Sequence, residues 1–274
     1  MRPNTQIAVL MNDTAAEGFL AEHGLSVWIS HAGHRILFDT GQTDALLRNA
    51  CKMGIDIASA DAVILSHGHY DHTGGLSAVL SAAEKASVFL HPEALKPKFS
   101  RKPDHVKSIG IPQAAKGALQ NRRIIWTDRP AGPVPQIFLT GPVPRINSFE
   151  DVGGDFFLDA DCRTPDLLQD DQALWLESDR GLIVIVGCAH SGLVNILDYI
   201  SRLTAGRPIH TLLGGMHLLN ASPNRIEKTI EALHRHRVRQ IIPLHCTGPE
   251  AVRLLRDAFP HACLILPAGS RLTL

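Results

Sequence analysis

The chain has 274 residues, 45% of them hydrophobic and 20% charged, and its 27 basic and 27 acidic side chains cancel to zero net charge. That composition suits a globular domain with a sizeable core and excludes a disordered or fibrous chain. It also lacks the basic excess with which binders of nucleic acid or anionic membrane offset phosphate charge.

In chain order, apolar runs rich in Ile, Val and Leu predict strands over 6–11, 25–30, 35–38, 62–65, 87–90, 123–127, 137–140, 173–177, 182–186, 210–213, 240–244 and 264–266. Helical periodicity predicts helices over 43–53, 75–83, 192–203, 223–236 and 249–258. In the fourth, Ile226, Ile230 and Leu233 share a face, and Ser222-Pro223 reads as an N-cap followed by proline at the first helical position. Strand-dense early segments and alternating late ones predict sheets with helices packed outside them, a layered α/β arrangement. No internal repeat or long linker cuts the chain, so a single domain over 1–274 is expected. The least regular stretch, about 92–135, holds a basic cluster of Lys96, Lys98, Arg101, Lys102 and Lys107 and reads as an insertion or lid. A solvated surface loop is the competing reading.

The segment His67-Gly68-His69-Tyr70-Asp71-His72 directly follows the apolar run Ala62-Val63-Ile64-Leu65. A buried strand thus delivers three imidazoles and one carboxylate within one short loop, donors that suit zinc, iron or manganese. Asp39, His190, His217 and His245 each stand just beyond another apolar run. In layered α/β folds that edge is where ligands bind, so these strand ends are expected to converge. The fifteen histidines raise the expectation of a metal further.

The five cysteines are odd in number and contain no C-x-x-C pair, which argues against a disulfide framework or thiolate knuckle and for a reducing compartment. Cys188 and Cys246 neighbour His190 and His245; small buried packing is the preferred reading, with thiolate ligation the alternative. The start of the chain has no apolar signal-peptide core, and no apolar stretch approaches the roughly 20 residues that span a bilayer. A cytoplasmic protein is expected, acting on a small molecule rather than on nucleic acid or membrane; the oligomeric state is not legible.

His67, His69, Asp71 and His72 form the pattern H-x-H-x-D-H, which resembles the signature of the metallo-β-lactamase superfamily. The runs Gly187-Cys188-Ala189-His190-Ser191-Gly192, Gly214-Gly215-Met216-His217-Leu218 and His245-Cys246-Thr247-Gly248 resemble one branch. That branch is named for dihydropterin-(ribofuranosyl)aminobenzene phosphate synthase, and the resemblance covers nearly the whole chain. It implies an αββα sandwich, two mixed sheets with helices on the outer faces. It also implies two divalent metal ions, zinc first with iron or manganese as alternatives. By carry-over, His67, His69 and His190 would hold one ion and Asp71, His72 and His245 the other, with Asp39 orienting the ligand loop without coordinating. The superfamily's bridging aspartate is missing: Gly214-Gly215-Met216-His217 stands there, so His217 is expected as a ligand or a proton donor. Asp71 and His217 are the candidate catalytic groups. Arg145 is a candidate phosphate contact, and Tyr70 either shapes the pocket or covers the metal loop. Lys96, Lys98 and Arg101 are weaker phosphate candidates, with a solvated face the preferred reading for the lysines. The functions to weigh are three. The first is a dinuclear hydrolase of a small phosphoester, ester or lactone. The second is a transferase joining a pterin pyrophosphate to an aryl amine. The third is a non-catalytic metal-dependent sensor.

Overall fold

The computed structural model describes residues 5–274. Contacts divide the chain into two compact units. The first comprises the described residues up to Asp128 together with Asp155–Asp170 and Pro267–Leu274; the second comprises Arg129–Gly154 and Asp171–Leu266.

In the first unit, seven strands form one sheet in the order Arg271–Thr273, Gln6–Met11, Ser26–His31, His34–Phe38, Ala62–Ile64, Ser87–Leu90 and Ile124–Trp126. Pairing is antiparallel up to His34–Phe38 and parallel beyond it. The side-chain alternation of a strand explains the packing. Leu37, Val63 and Val88 join a core with Leu46, Leu76, Val79, Leu80, Ala115 and Leu119, which come from helices. The alternate residues Ile36, Phe38, Ile64 and Phe89 are buried as well, so the sheet is covered on both faces. Such double burial is why these strands read as continuous apolar runs. A three-stranded antiparallel sheet, Phe156–Phe157, Phe99–Arg101 and Val106–Ser108, also belongs to this unit.

In the second unit, six strands run in the order Gln240–Leu244, Ile209–Gly215, Gly181–Val186, Ala173–Ser178, Ile137–Leu139 and Ala131–Val134. The first three are mutually parallel and the rest antiparallel. Helices Leu193–Leu203, Pro223–Arg235 and Pro249–Ala258 bury Leu197, Ile200, Leu233 and Leu255 against Val184, Leu212 and Ile241. Ser222 caps the Pro223 helix, its side chain accepting the Arg225 N–H, as the Ser-Pro pair predicts.

Most predicted strands and all five predicted helices are present within a few residues. The run 264–266 is not a strand; Cys263 just before it and Ala268 just after it make isolated bridges, and the terminal strand is Arg271–Thr273. The stretch 92–135 is more regular than its sequence suggests. It contains the helix Gln113–Leu119, two strands of the small sheet and one strand of each large sheet. Apart from Ile124–Trp126, which the sequence predicts, its short strands carry too few alternating residues to register as a pattern. Among the described residues no helix is long and apolar enough to cross a membrane.

Candidate functional site

In the first unit, strand Ala62–Ile64 ends at Leu65 and Ser66, and the chain enters the short helix Tyr70–Thr73. His67, His69, Asp71 and His72 are all buried. The His67 ring centroid lies 4.6 Å from that of His69 and 4.3 Å from that of His72. His72 Nε2 is 3.9 Å from Asp71 Oδ2, whose other neighbour is His23 Nε2 at 3.3 Å.

Asp39 organises this loop from the end of strand His34–Phe38. Its Oδ1 accepts the Ser66 backbone N–H at 2.7 Å, and its Oδ2 accepts the Ser66 hydroxyl at 2.7 Å and His72 Nδ1 at 2.7 Å. Because the Ser66 hydroxyl donates to Asp39, it accepts from His67 Nδ1, 2.8 Å away. Both imidazoles are therefore held by Nδ1, the tautomer that presents Nε2 to a cation. Burial pushes His69 down from 6.5 to about 3, with Asp71 opposing and Lys98 reinforcing the shift. A neutral ring is the ligating form.

Lys98 departs from the solvated role read from the sequence. It is 1% exposed, and its Nζ donates to Asp166 Oδ2 at 2.8 Å and Asp170 Oδ1 at 2.9 Å. Asp170 Oδ2 in turn accepts the Gly68 N–H at 2.7 Å. Burial alone would lower the lysine's pKa, but the two aspartates outweigh it and raise the group. Lys98 is thus a strut beneath the histidine loop rather than an exposed phosphate contact. Its partners are 68 and 72 positions away in sequence, so no local pattern announces them. Lys96 pairs with Glu93 at 2.6 Å and Arg101 with Asp155 at 3.0 Å, both at the surface. Tyr70 accepts from Lys107 Nζ at 2.8 Å, and the same ammonium sits 4.3 Å above its ring centre.

In the second unit, His190, His217 and His245 follow strands Gly181–Val186, Ile209–Gly215 and Gln240–Leu244. Ala189, His217 and His245 all adopt left-handed backbone, with φ of 56°, 46° and 45°, as does Asp39 at 57° in the other unit. Strained conformations of this kind persist where the surroundings enforce them, commonly at functional sites. The loop Glu150–Gly153, which sequence reasoning passed over, positions two of the histidines. His190 Nδ1 donates to the Val152 carbonyl at 2.7 Å, and His217 Nε2 donates to the Gly153 carbonyl at 3.0 Å. Glu150 pins the loop by accepting the Val194 and Asn195 N–H groups at a helix start, at 2.9 and 3.0 Å. Asp151 pairs with the buried Arg225 at 2.7 Å. Gly153 must be glycine: its φ is +85°, and a Cβ there would fall 1.9 Å from the His217 ring. Arg145 Nη1 donates to the His190 carbonyl at 2.7 Å, so it props the histidine. Burial lowers its pKa against the pull of Asp171 and Glu150.

Cys188 and Cys246 are buried beside these histidines, and none of the five cysteines, all among the described residues, is in a disulfide. Donor atoms of Cys188, His190 and His217 lie within 4.8 Å of one another, as do those of Cys188, His245 and Cys246. Burial opposes ionisation of Cys246, but its contact with Cys188 and the fields of His217 and His245 outweigh burial and bring its pKa well down. Burial likewise lowers His217, and the interactions with Cys246 and the Gly153 carbonyl reverse that and raise it. Imidazole, thiol and carboxylate at these spacings suit a divalent transition metal.

A sequence model of the metallo-beta-lactamase superfamily matches residues 21–184. The chain is 31% identical to the 7,8-dihydropterin-6-methyl-4-(beta-D-ribofuranosyl)-aminobenzene-5'-phosphate synthase of Methanocaldococcus jannaschii, over 97% of this chain and 95% of that protein. An uncharacterised protein of the same organism is 32% identical over 91% of this chain and 93% of its own length. Among solved structures, Tm1679, described as a metal-dependent hydrolase of the beta-lactamase superfamily, superposes with a TM-score of 0.87 at 34% identity, covering 98% of this chain and 99% of that one. Zinc-bound PqqB of Methylobacterium extorquens, at 14% identity and a TM-score of 0.59 over 98% of this chain and all of that one, shares the fold.

Proposed function

The chain belongs to the metallo-beta-lactamase superfamily of metal-dependent enzymes, and on that premise we propose that it is a hydrolase of a small phosphoester, ester or lactone. Within the first unit His67, His69, Asp71 and His72, and within the second unit His190 and His245, are the side chains offered as ligands to divalent ions, zinc in the first instance. The observation that carries this reading is the shared tethering of His67, His72 and His190. Each Nδ1 is tied to an acceptor within 2.8 Å, which aims the opposite nitrogen of a neutral ring.

When bound, such ions polarise a phosphoryl or carbonyl oxygen and acidify an attacking water. The protein's own groups do the rest. Asp71 takes up the proton of the nucleophile as its carboxylate. His217, with its pKa raised and its Nε2 anchored on the Gly153 carbonyl, delivers a proton to the leaving group. Asp39 and Ser66 keep His67 and His72 in register. The substrate is a small molecule met in the cytoplasm, with neither nucleic acid nor membrane as partner.

A transferase that joins a pterin pyrophosphate to an aryl amine is the second reading. It is favoured by the near full-length similarity to the Methanocaldococcus synthase. One experiment separates the two: metal-loaded protein is offered phosphoesters, esters and lactones, and separately a pterin pyrophosphate with and without an aryl amine. Hydrolysis abolished by His67→Ala supports the first reading. Turnover that requires both pterin and amine replaces it with the second. Ligand binding without conversion under every condition refutes both and leaves a metal-dependent sensor.

A further inference from the structure

We propose that Cys188 is a thiolate metal ligand in the second unit, with His217 beside it left unligated as the proton donor. The inference rests on the metal-dependent reading above and extends it to a residue whose expected role was packing. Cys188 belongs to both groups, one with His190 and His217, the other with His245 and Cys246. Neither group contains a carboxylate, so sulfur is the one anionic protein donor that either group can offer a bound cation. His190 and His245 are the histidines expected to serve different ions, and Cys188 Sγ lies within 4.8 Å of a ring nitrogen of each.

The local backbone is built for this placement. Ala189 takes a left-handed turn between Cys188 and His190, and His245 takes another immediately before Cys246. Gly215, on the neighbouring strand, leaves the space that the sulfur cluster occupies. A Cβ there would approach Cys246 Sγ to 2.7 Å and Cys188 Cα to 3.5 Å. Cys188 is only 3% exposed, so its sulfur is shielded from solvent oxidants. Coordination forms one metal–sulfur bond and releases the thiol proton to solvent; no oxidant or reductant takes part.

The full chain is stripped of metal and titrated with cobalt(II), whose bonds to thiolate absorb in the near ultraviolet. The expected result is a sulfur-to-cobalt charge-transfer band in the unsubstituted protein and in Cys246→Ser, lost in Cys188→Ser. Zinc-edge X-ray absorption on the unsubstituted protein should show a sulfur neighbour at about 2.3 Å, a readout independent of whether a variant folds. Cobalt bound with visible ligand-field bands but no charge-transfer band, or zinc with only nitrogen and oxygen neighbours, would overturn the thiolate while leaving the metal reading intact. A band that survives Cys188→Ser and disappears in Cys246→Ser would overturn the assignment to Cys188. No cobalt or zinc binding at all would sink both inferences.

Discussion

Replacing Lys98 by methionine keeps the length of the side chain and deletes its charge. Asp166 and Asp170, 5% and 1% exposed, would then face each other without the ammonium that lies 2.8 and 2.9 Å from them. Breaking a buried ion pair in this one-sided way costs about 3–5 kcal/mol, because the stranded charge has lost its solvation and its partner. At about 2–4 °C per kcal/mol for domains somewhat smaller than this chain, the melting temperature should drop by roughly 6–20 °C, towards the lower end. The deficit should narrow on acidification. An unpaired buried carboxylate has a raised pKa and protonates first in the folded state, so stability relative to the unsubstituted protein recovers as pH falls. Lys98→Arg, which keeps the charge, should restore part of the loss. Since Asp170 also holds the Gly68 N–H, metal affinity should weaken together with stability. Urea unfolding across a pH series reads the first effect and chelator competition the second. A deficit below about 1 kcal/mol at neutral pH, the scale of an exposed pair, would refute the strut.

Asp39→Asn should weaken metal binding by about 10–100-fold in chelator competition, because an amide cannot accept from Ser66 and His72 as the carboxylate does. Gly153→Ala should abolish turnover by displacing His217. Gly117→Ala, where a Cβ meets nothing within 4 Å on a helix, should be stabilising by roughly 0.5–1 kcal/mol in thermal unfolding and leave turnover unchanged. For metal-free protein, His69 supplies a pH dependence. Its folded pKa of about 3 lies below the unfolded 6.5, so between those values the unfolded chain binds the extra proton. Stability is full above the unfolded value and falls by up to about 4–5 kcal/mol as pH drops through the window. A flat unfolding free energy across that window would contradict the burial of a neutral ring.

The sequence by itself determined the sites where chemistry emerges. An apolar run followed at once by Asp39, His67, His190, His217 or His245 is a short-range pattern. Strand burial and the polar break are both visible within ten residues, and the observed strands end at or just before these positions. The helices were legible for the same reason, since a 3.6-residue period needs only the residues of one element. What only the tertiary structure decided were pairings between residues far apart in the chain. Lys98 looked like one more member of a surface basic cluster until Asp166 and Asp170 were brought to it. Cys188 looked like packing until Cys246, 58 positions on, came within 4.8 Å along with the histidines. The role of Glu150–Gly153 as the loop that orients two imidazoles rests on backbone carbonyls, which carry no sequence signature. Burial and hydrogen-bond partnership are properties of the folded neighbourhood, and a charge or thiol acquires its function from them.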